Sequence, residues 1–227
     1  MNFSGIRLGV NQSTFIKDPE SSELGLRIIR GSIDMIEEMG MESFTFRKLA
    51  KEISSTEASI YRYFESKYKL LLYLTTWYWS WMDYRLSFQL ANIESAETRL
   101  DRAIRLLVEE VKEDSDFSHI NEVKLNHIVI AESSKAYLTK EVDDVNSKGV
   151  FSTYKGLVGT ISDIIHELQP DYKYPHMLLS TVIEGAHHQR FFAEHLPRLT
   201  DVVKGEDAIG EFYRELVFKA IGRTLPR

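Results

Sequence analysis

The sequence predicts an all-α protein, with a three-helix N-terminal head joined by a long fourth helix to a helical C-terminal body. Apolar residues recur at the helical spacing of about 3.6 along nearly the whole chain, and strand-like alternation never persists beyond a few residues. Structure-breaking residues are scarce, 12 glycines and 5 prolines in 227 residues, and they fall mostly where helices would end.

The elements follow in order. Residues 1–18 read as a flexible arm. Asp18-Pro19 starts the first helix, because proline suits a first helical turn. That helix runs to about Met39 with Ile29, Ile33 and Ile36 inward, and Gly40 ends it. Thr45 caps a second helix over about 46–53, Ser54-Ser55 form a turn, and Thr56 caps a third helix over about 57–63. Ser66 caps the long fourth helix, over about 67–91. Further helices are predicted over about 96–114, 119–134, 137–168, 172–195 and 206–222. The breaks fall at 92–95, at 114–118, at Gln169-Pro170 and at 196–205. The chain thus divides into an arm over 1–18, a head over 19–66 and a body over 67–227.

With 43% apolar residues the chain can bury a real core. It has no cysteine, which excludes a disulfide framework and a thiolate metal site and fits a reducing compartment. No run approaches the roughly 18 apolar residues of a membrane span, and the first 20 residues lack a signal-peptide apolar block. A soluble, cytoplasmic protein without a membrane partner is expected.

Net charge is −6, which on its face argues against a nucleic-acid partner. Its distribution reverses that inference. Residues 45–70 hold six Lys/Arg (Arg47, Lys48, Lys51, Arg62, Lys67, Lys69) against three acids (Glu52, Glu57, Glu65). From residue 71 onward there are 18 Lys/Arg and 24 Asp/Glu.

The basic stretch has the layout of a helix-turn-helix, in which one helix props up a second whose first residues reach base edges. Phe46, Leu49, Ala50, Ile53, Ile60 and Phe64 fall inward, with Ala50 small where two helices must approach. Thr45, Arg47, Lys48, Thr56, Glu57, Ala58, Ser59, Tyr61, Arg62, Tyr63 and Lys67 are left outward. Hydroxyls and helix starts donate to phosphates, which position a duplex. Arg47 and Arg62 suit bidentate reading of guanine, and Glu57 can accept from cytosine N4. A basic helical face by itself is often only a solvated surface. Three hydroxyl caps, a small buried alanine and two outward tyrosines within 25 residues are an odd surface for a plain bundle. Sequence-specific binding of double-stranded DNA is therefore the expected function.

Gly40-Met41-Glu42, Thr45-Phe46-Arg47-Lys48-Leu49-Ala50, Ser59-Ile60-Tyr61-Arg62-Tyr63-Phe64, Ser66-Lys67 and Leu70-Leu71 together resemble the N-terminal signature of the tetracycline-repressor (TetR) family, over roughly residues 22–75. The resemblance implies a homodimeric, ligand-responsive transcriptional regulator, usually a repressor, with an all-α ligand-binding and dimerisation body. Carried over, Thr45, Arg47, Tyr61, Tyr63 and Lys67 match phosphate-holding positions, and Arg47, Glu57, Ala58, Ser59 and Arg62 match positions near bases. Two departures stand out. Ser54 occupies a turn position that usually carries glycine and so is expected at positive φ. Glu57 puts a negative charge at the mouth of the third helix, where it either selects cytosine or complements the helix dipole.

The fourth helix carries Tyr73, Trp77, Trp81, Tyr84 and Phe88 on one face. These rings either pack the core between head and body or, as the resemblance implies, wall a pocket that links an unknown small-molecule effector to the head. Trp77, Trp81 and Tyr84 are the expected wall, with His127, Tyr154 and His187 as candidate polar anchors. Residues 177–195 resemble the family's penultimate, dimer-forming helix. Leu178, Val182, Gly185, Gln189 and Phe192, with Phe212 and Leu216 of the last helix, are the expected interface, a four-helix arrangement across a two-fold axis. Two heads must meet major grooves about 34–36 Å apart, so the operator would be palindromic.

Glu184 and His188 share a helical face but His187 points away, and HExxH is absent, so no metal is expected; nor is a cofactor. No nucleophile elbow, P-loop or dinucleotide fingerprint occurs, so an enzyme is not expected. The competing expectation is a small-molecule-binding or protein-interaction module that has lost DNA binding, which acidic Glu57 makes thinkable.

Overall fold

The computed structural model describes residues 7–113, 117 and 119–226. The regular structure among these residues is helical throughout: α1 (Glu23–Ser43), α2 (Phe46–Glu52), α3 (Glu57–Tyr61), α4 (Lys67–Leu90), α5 (Ala96–Val108), α6 (Glu122–Tyr137), α7 (Val142–Ser147), α8 (Ser152–Leu168), α9 (Pro175–His195) and α10 (Ala208–Ala220). Short 3-10 turns precede α1, at Gln12–Thr14 and Pro19–Ser21, and another follows α9 at Pro197–Leu199. The all-α expectation holds.

The chain forms two compact units. The first comprises Met1–Trp81 and Val111–Thr153. Within it α1 packs on α2 and α6 around Ile28, Ile29, Ile33, Phe44, Leu49, Ile60 and Phe64, each at most 1% exposed. Gly31 lets α1 and α2 meet closely, since a Cβ there would lie 2.8 Å from Ile53 Cγ2 and 3.0 Å from Leu49 Cδ1. α1 breaks at Gly40, which takes φ +74° as its expected role as a helix stop requires. The amide freed just beyond, Met41 N, donates to Glu132 Oε1 of α6 at 3.0 Å. Lys135 then bridges Glu132 and Glu42 at 2.6 and 3.0 Å.

Of the segment expected as a flexible arm, residues 1–6 lie outside the described part, and the rest makes hydrogen bonds to the body of its unit. Gly9 O accepts from Ser80 Oγ (2.8 Å) and Ser13 O from Lys69 Nζ (3.0 Å). Asn11 Nδ2 donates to Lys148 O (3.0 Å), and Ile16 N to Tyr63 O (2.8 Å). Backbone groups satisfied this way do not fray.

The second unit comprises Met82–Glu110 and Tyr154–Arg227. Here α5 packs on α9 and α10, and α9 on α10. Arg214, almost fully buried, is neutralised by Asp101 at 2.6 Å and Glu211 at 2.5 Å, as a buried guanidinium must be.

Several boundaries differ from the expected ones for local reasons. Pro19 opens a 3-10 turn capped by Asp18, and α1 proper begins after Ser22, whose hydroxyl accepts from Gly25 N. α5 stops at Val108 instead of 114, because Arg190 takes the Val108 carbonyl at 3.1 Å and Glu109 turns extended. The break placed at 114–118 falls mostly outside the described residues, and α6 begins beyond it under an Asn121 cap. The single helix expected over 137–168 is two, divided by Gly149 at φ +75°.

Candidate nucleic-acid interface

Each short helix of the head starts from a hydroxyl that satisfies an otherwise orphaned first-turn amide. Thr45 Oγ1 accepts from Lys48 N at 3.2 Å, Thr56 Oγ1 from Ser59 N at 3.2 Å, and Ser66 Oγ from Lys69 N at 3.2 Å. The turn between α2 and α3 closes through Ser54 at φ 49°, the left-handed value expected where glycine would be easier. Phe46, Leu49, Ala50, Ile60 and Phe64 are buried as the helical spacing requires, while Ile53 is only half-buried.

That core leaves Thr45, Arg47, Lys48, Thr56, Ala58, Tyr61, Arg62 and Lys67 exposed and Glu57 and Ser59 half-exposed. Tyr61 is aimed by an edge-on contact with Phe46, ring centroids 5.1 Å apart, and stays 47% exposed. Thr56 and Ser59 hydroxyls bond each other at 2.8 Å. The cations divide into two kinds. Lys48 Nζ is held by Ser43 O at 2.8 Å, and Lys67 Nζ by Met41 O at 2.9 Å, so both cap the end of α1 from the surface. Arg47 and Arg62 make no hydrogen bond or ion pair among the described residues, and their forks face solvent.

Tyr63 departs from the outward set. It is only 4% exposed, and its hydroxyl lies 2.7 Å from Ser22 Oγ and 3.2 Å from Lys17 Nζ. Burial alone would raise its phenol, but the bonds to Ser22 and Lys17 and the charges of Lys17 and Arg62 outweigh it, leaving the group below its usual value. Its hydrogen-bond partners Lys17 and Ser22 lie more than 40 residues upstream, beyond the reach of a local pattern.

Residues 28–74 match the family model described as bacterial regulatory proteins, tetR family. This chain carries a tetR-family DNA-binding head. No curated protein matches the sequence, but solved structures share the fold. The fatty acid degradation regulator FadR from Bacillus halodurans aligns over 88% of this chain and 96% of its own, at 14% identity and a TM-score of 0.60. A putative transcriptional regulator from Saccharomonospora viridis, in complex with choline, aligns over 88% and 97% at 21% identity and 0.57. AibR, in complex with isovaleryl coenzyme A and operator DNA, aligns over 87% and 97% at 13% identity and 0.56. At these identities the likeness is one of fold.

Beyond the tetR-family head, the residues expected to line a pocket are placed as follows. Trp77 and Trp81 are sealed, at 0% and 1% exposed. Trp77 Nε1 donates to Glu20 Oε1 at 3.1 Å, and its ring meets Phe117 edge-on at 5.4 Å. This is the core-packing alternative. Tyr84 is half-buried against Phe88, centroids 4.8 Å apart, and Tyr154 is also half-buried. His127 is exposed instead of lining an interior, with Nδ1 3.6 Å from Glu37 Oε1. His187 is buried, and burial, aided by the charge of neighbouring His188, pulls its imidazole down to about 4. Glu184 lies half-buried on the face of His188, its carboxyl raised by burial.

The residues expected at an interface are placed as follows. Val182 is fully buried within its own unit. Gly185 faces Tyr213 of α10, where a Cβ would lie 3.1 Å from Cζ and overlap the hydroxyl oxygen. Leu178, Gln189 and Phe192 are half-buried, and Phe212 and Leu216 exposed at 58% and 36%. On α9 itself the exposed large apolar residues are Met177 (67%) and Phe191 (39%), and Leu199 (59%) and Val202 (63%) follow just beyond it. Met177, Thr181, Glu184, His188 and Phe191 follow one another at i+4 and i+3 and so share a face of α9.

Proposed function

We propose that this chain is a sequence-specific DNA-binding transcriptional regulator, a ligand-responsive repressor that works as a homodimer on a palindromic operator. Residues 19–66 read DNA, and 67–227 sense an effector and pair the protomers, without catalysis and in the compartment that holds the DNA. One observation carries the reading: a capped, well-packed helix-turn-helix of the tetR family displays Arg47, Tyr61 and Arg62 to solvent, with no partner for either arginine among the described residues. Phosphate contact would fall to Thr45, Lys48, Thr56, Tyr61 and Lys67, and base contact to Arg47, Glu57, Ala58 and Ser59. Glu57 begins α3 and complements its dipole.

Pairing is supported by the exposed apolar stripe of α9 and α10, the kind of surface a soluble protein covers. Ligand response is supported by likeness of fold to AibR and the choline complex, each solved with a small molecule. The test is a fluorescence titration of the full-length protein against the duplex flanking its own gene. Binding should weaken steeply between about 50 and 200 mM salt and vanish for Arg47→Ala with Tyr61→Ala. Affinity indifferent to salt, or unchanged in that variant, rejects the proposal.

A further inference from the structure

The chain entering α1 carries a cation that the helix-turn-helix pattern does not include. Phe15 is extended, and the chain then bends through Ile16 and Lys17 before the Asp18-capped turn that opens at Pro19. Ile16 N is tied to Tyr63 O at 2.8 Å. That bond fixes the backbone against the end of α3 and delivers Lys17 onto the buried Tyr63. Its Nζ lies 3.2 Å from the Tyr63 hydroxyl and 5.0 Å from the ring centroid, a cation–π placement. The hydroxyl is fixed in turn by Ser22 at 2.7 Å.

Acids nearby would normally neutralise such a lysine, but here they are committed elsewhere. Asp18 Oδ1 accepts from Glu20 N at 2.9 Å. Glu20 points into the core, where its carboxylate accepts from Trp77 and Tyr73 at 3.1 and 3.4 Å. Lys17 forms no ion pair among the described residues, is itself exposed, and spends one donor of three on Tyr63. Arg62, adjacent to Tyr63 and also exposed, makes no ion pair there either. Both charges act on the Tyr63 phenol.

We infer that Lys17 is a DNA-backbone contact outside the helix-turn-helix, held by Tyr63 so that its ammonium meets a phosphodiester at the trailing end of α3. This rests on the DNA-binding reading above and deepens it. An ammonium suits this task as a point charge, and pre-positioning on a rigid ring lowers the ordering cost of a long side chain.

The experiment uses the full chain and a duplex enriched from random sequence by the wild-type protein, titrated between about 50 and 200 mM salt. Lys17→Ala should weaken binding about 3- to 30-fold and reduce the salt slope by roughly two, one lost contact on each head of a dimer. The ranking of operator variants should not change. Lys17→Arg should retain the slope, and Lys17→Gln, which keeps most of the stem, should lose it while melting like wild type. An unchanged slope in Lys17→Ala and Lys17→Gln, with wild type still binding in a salt-dependent way, overturns the inference and leaves DNA binding standing. Salt-independent or absent binding by the wild type overturns both.

Discussion

Replacing Gly185 with alanine asks what the glycine of α9 is for. A glycine on a proposed dimerisation helix invites the explanation that it admits a partner helix. The structure gives it a neighbour in its own chain: an alanine methyl would lie 3.1 Å from Tyr213 Cζ and 3.3 Å from Cε1, and overlap the hydroxyl oxygen. Tyr213 is only 6% exposed, so its ring cannot swing aside. Overpacking of this sort costs about 1–3 kcal/mol, opposed by about 1 kcal/mol of helix propensity gained on replacing glycine. Gly185→Ala should therefore destabilise by up to about 2 kcal/mol. Tyr213→Phe removes the oxygen and leaves only ring carbons that need shift by a few tenths of an ångström. In that background Gly185→Ala should be neutral or stabilising by up to about 1 kcal/mol, a coupling of roughly 1–2 kcal/mol between the sites. Urea unfolding of the four proteins at two concentrations measures the cycle, the second concentration separating any change in association. Equal cost in both backgrounds, or a cost that appears only as dissociation, would refute the intrachain account and return Gly185 to the interface.

Three further outcomes are expected. Phe212→Glu, at an exposed position, should yield a folded monomer by sedimentation and cost DNA affinity; an intact dimer would move the interface elsewhere. Ser54→Gly should raise the melting free energy by about 0.5–1 kcal/mol, because φ 49° is strained for serine and free for glycine; a loss would show that the hydroxyl matters more than the backbone. His187 titrates at about 4 when folded against an ordinary 6.5. The unfolded chain thus binds the proton first as pH falls, and stability, full above about 6.5, declines toward 4 by up to about 3 kcal/mol. His187→Gln should flatten that limb in chemical denaturation, and an unaltered limb would place the acid sensitivity in another group.

The head was legible because its signals are local. Thr45, Thr56 and Ser66 each cap an amide three residues away, and Ser54 and Gly40 declare their backbone by position in a turn. Where the sequence misled, the deciding partner was remote. α5 ends where Arg190, 82 residues on, takes a carbonyl. Tyr63 turns inward for Lys17 and Ser22, and His127 outward beside Glu37. Gly149 could have been recognised as a stop, but apolar Val145, Val150 and Leu157 continue around it and conceal the break.

The register of α9 shows why periodicity alone cannot assign an interface. Leu178, Leu179, Val182, Ile183 and Ala186 make this helix apolar over more than one face, so two stripes one position apart fit the same 3.6-residue repeat. Only packing chooses between them. Leu179, Val182 and Ile183 are each 0% exposed and serve the fold of their own unit, so they have no surface left to offer another molecule. Met177 and Phe191 on α9, with Phe212 and Leu216 on α10, are left holding apolar area in water. Burying such area stabilises association at about 25 cal/mol per Å² before the costs of ordering are subtracted, whereas the inner stripe has already contributed its share to folding. On the proposed dimer reading, a partner helix that covers the outer stripe gains free energy that one directed at Val182 could gain only after the unit had opened, and that difference favours the outer stripe as the pairing face.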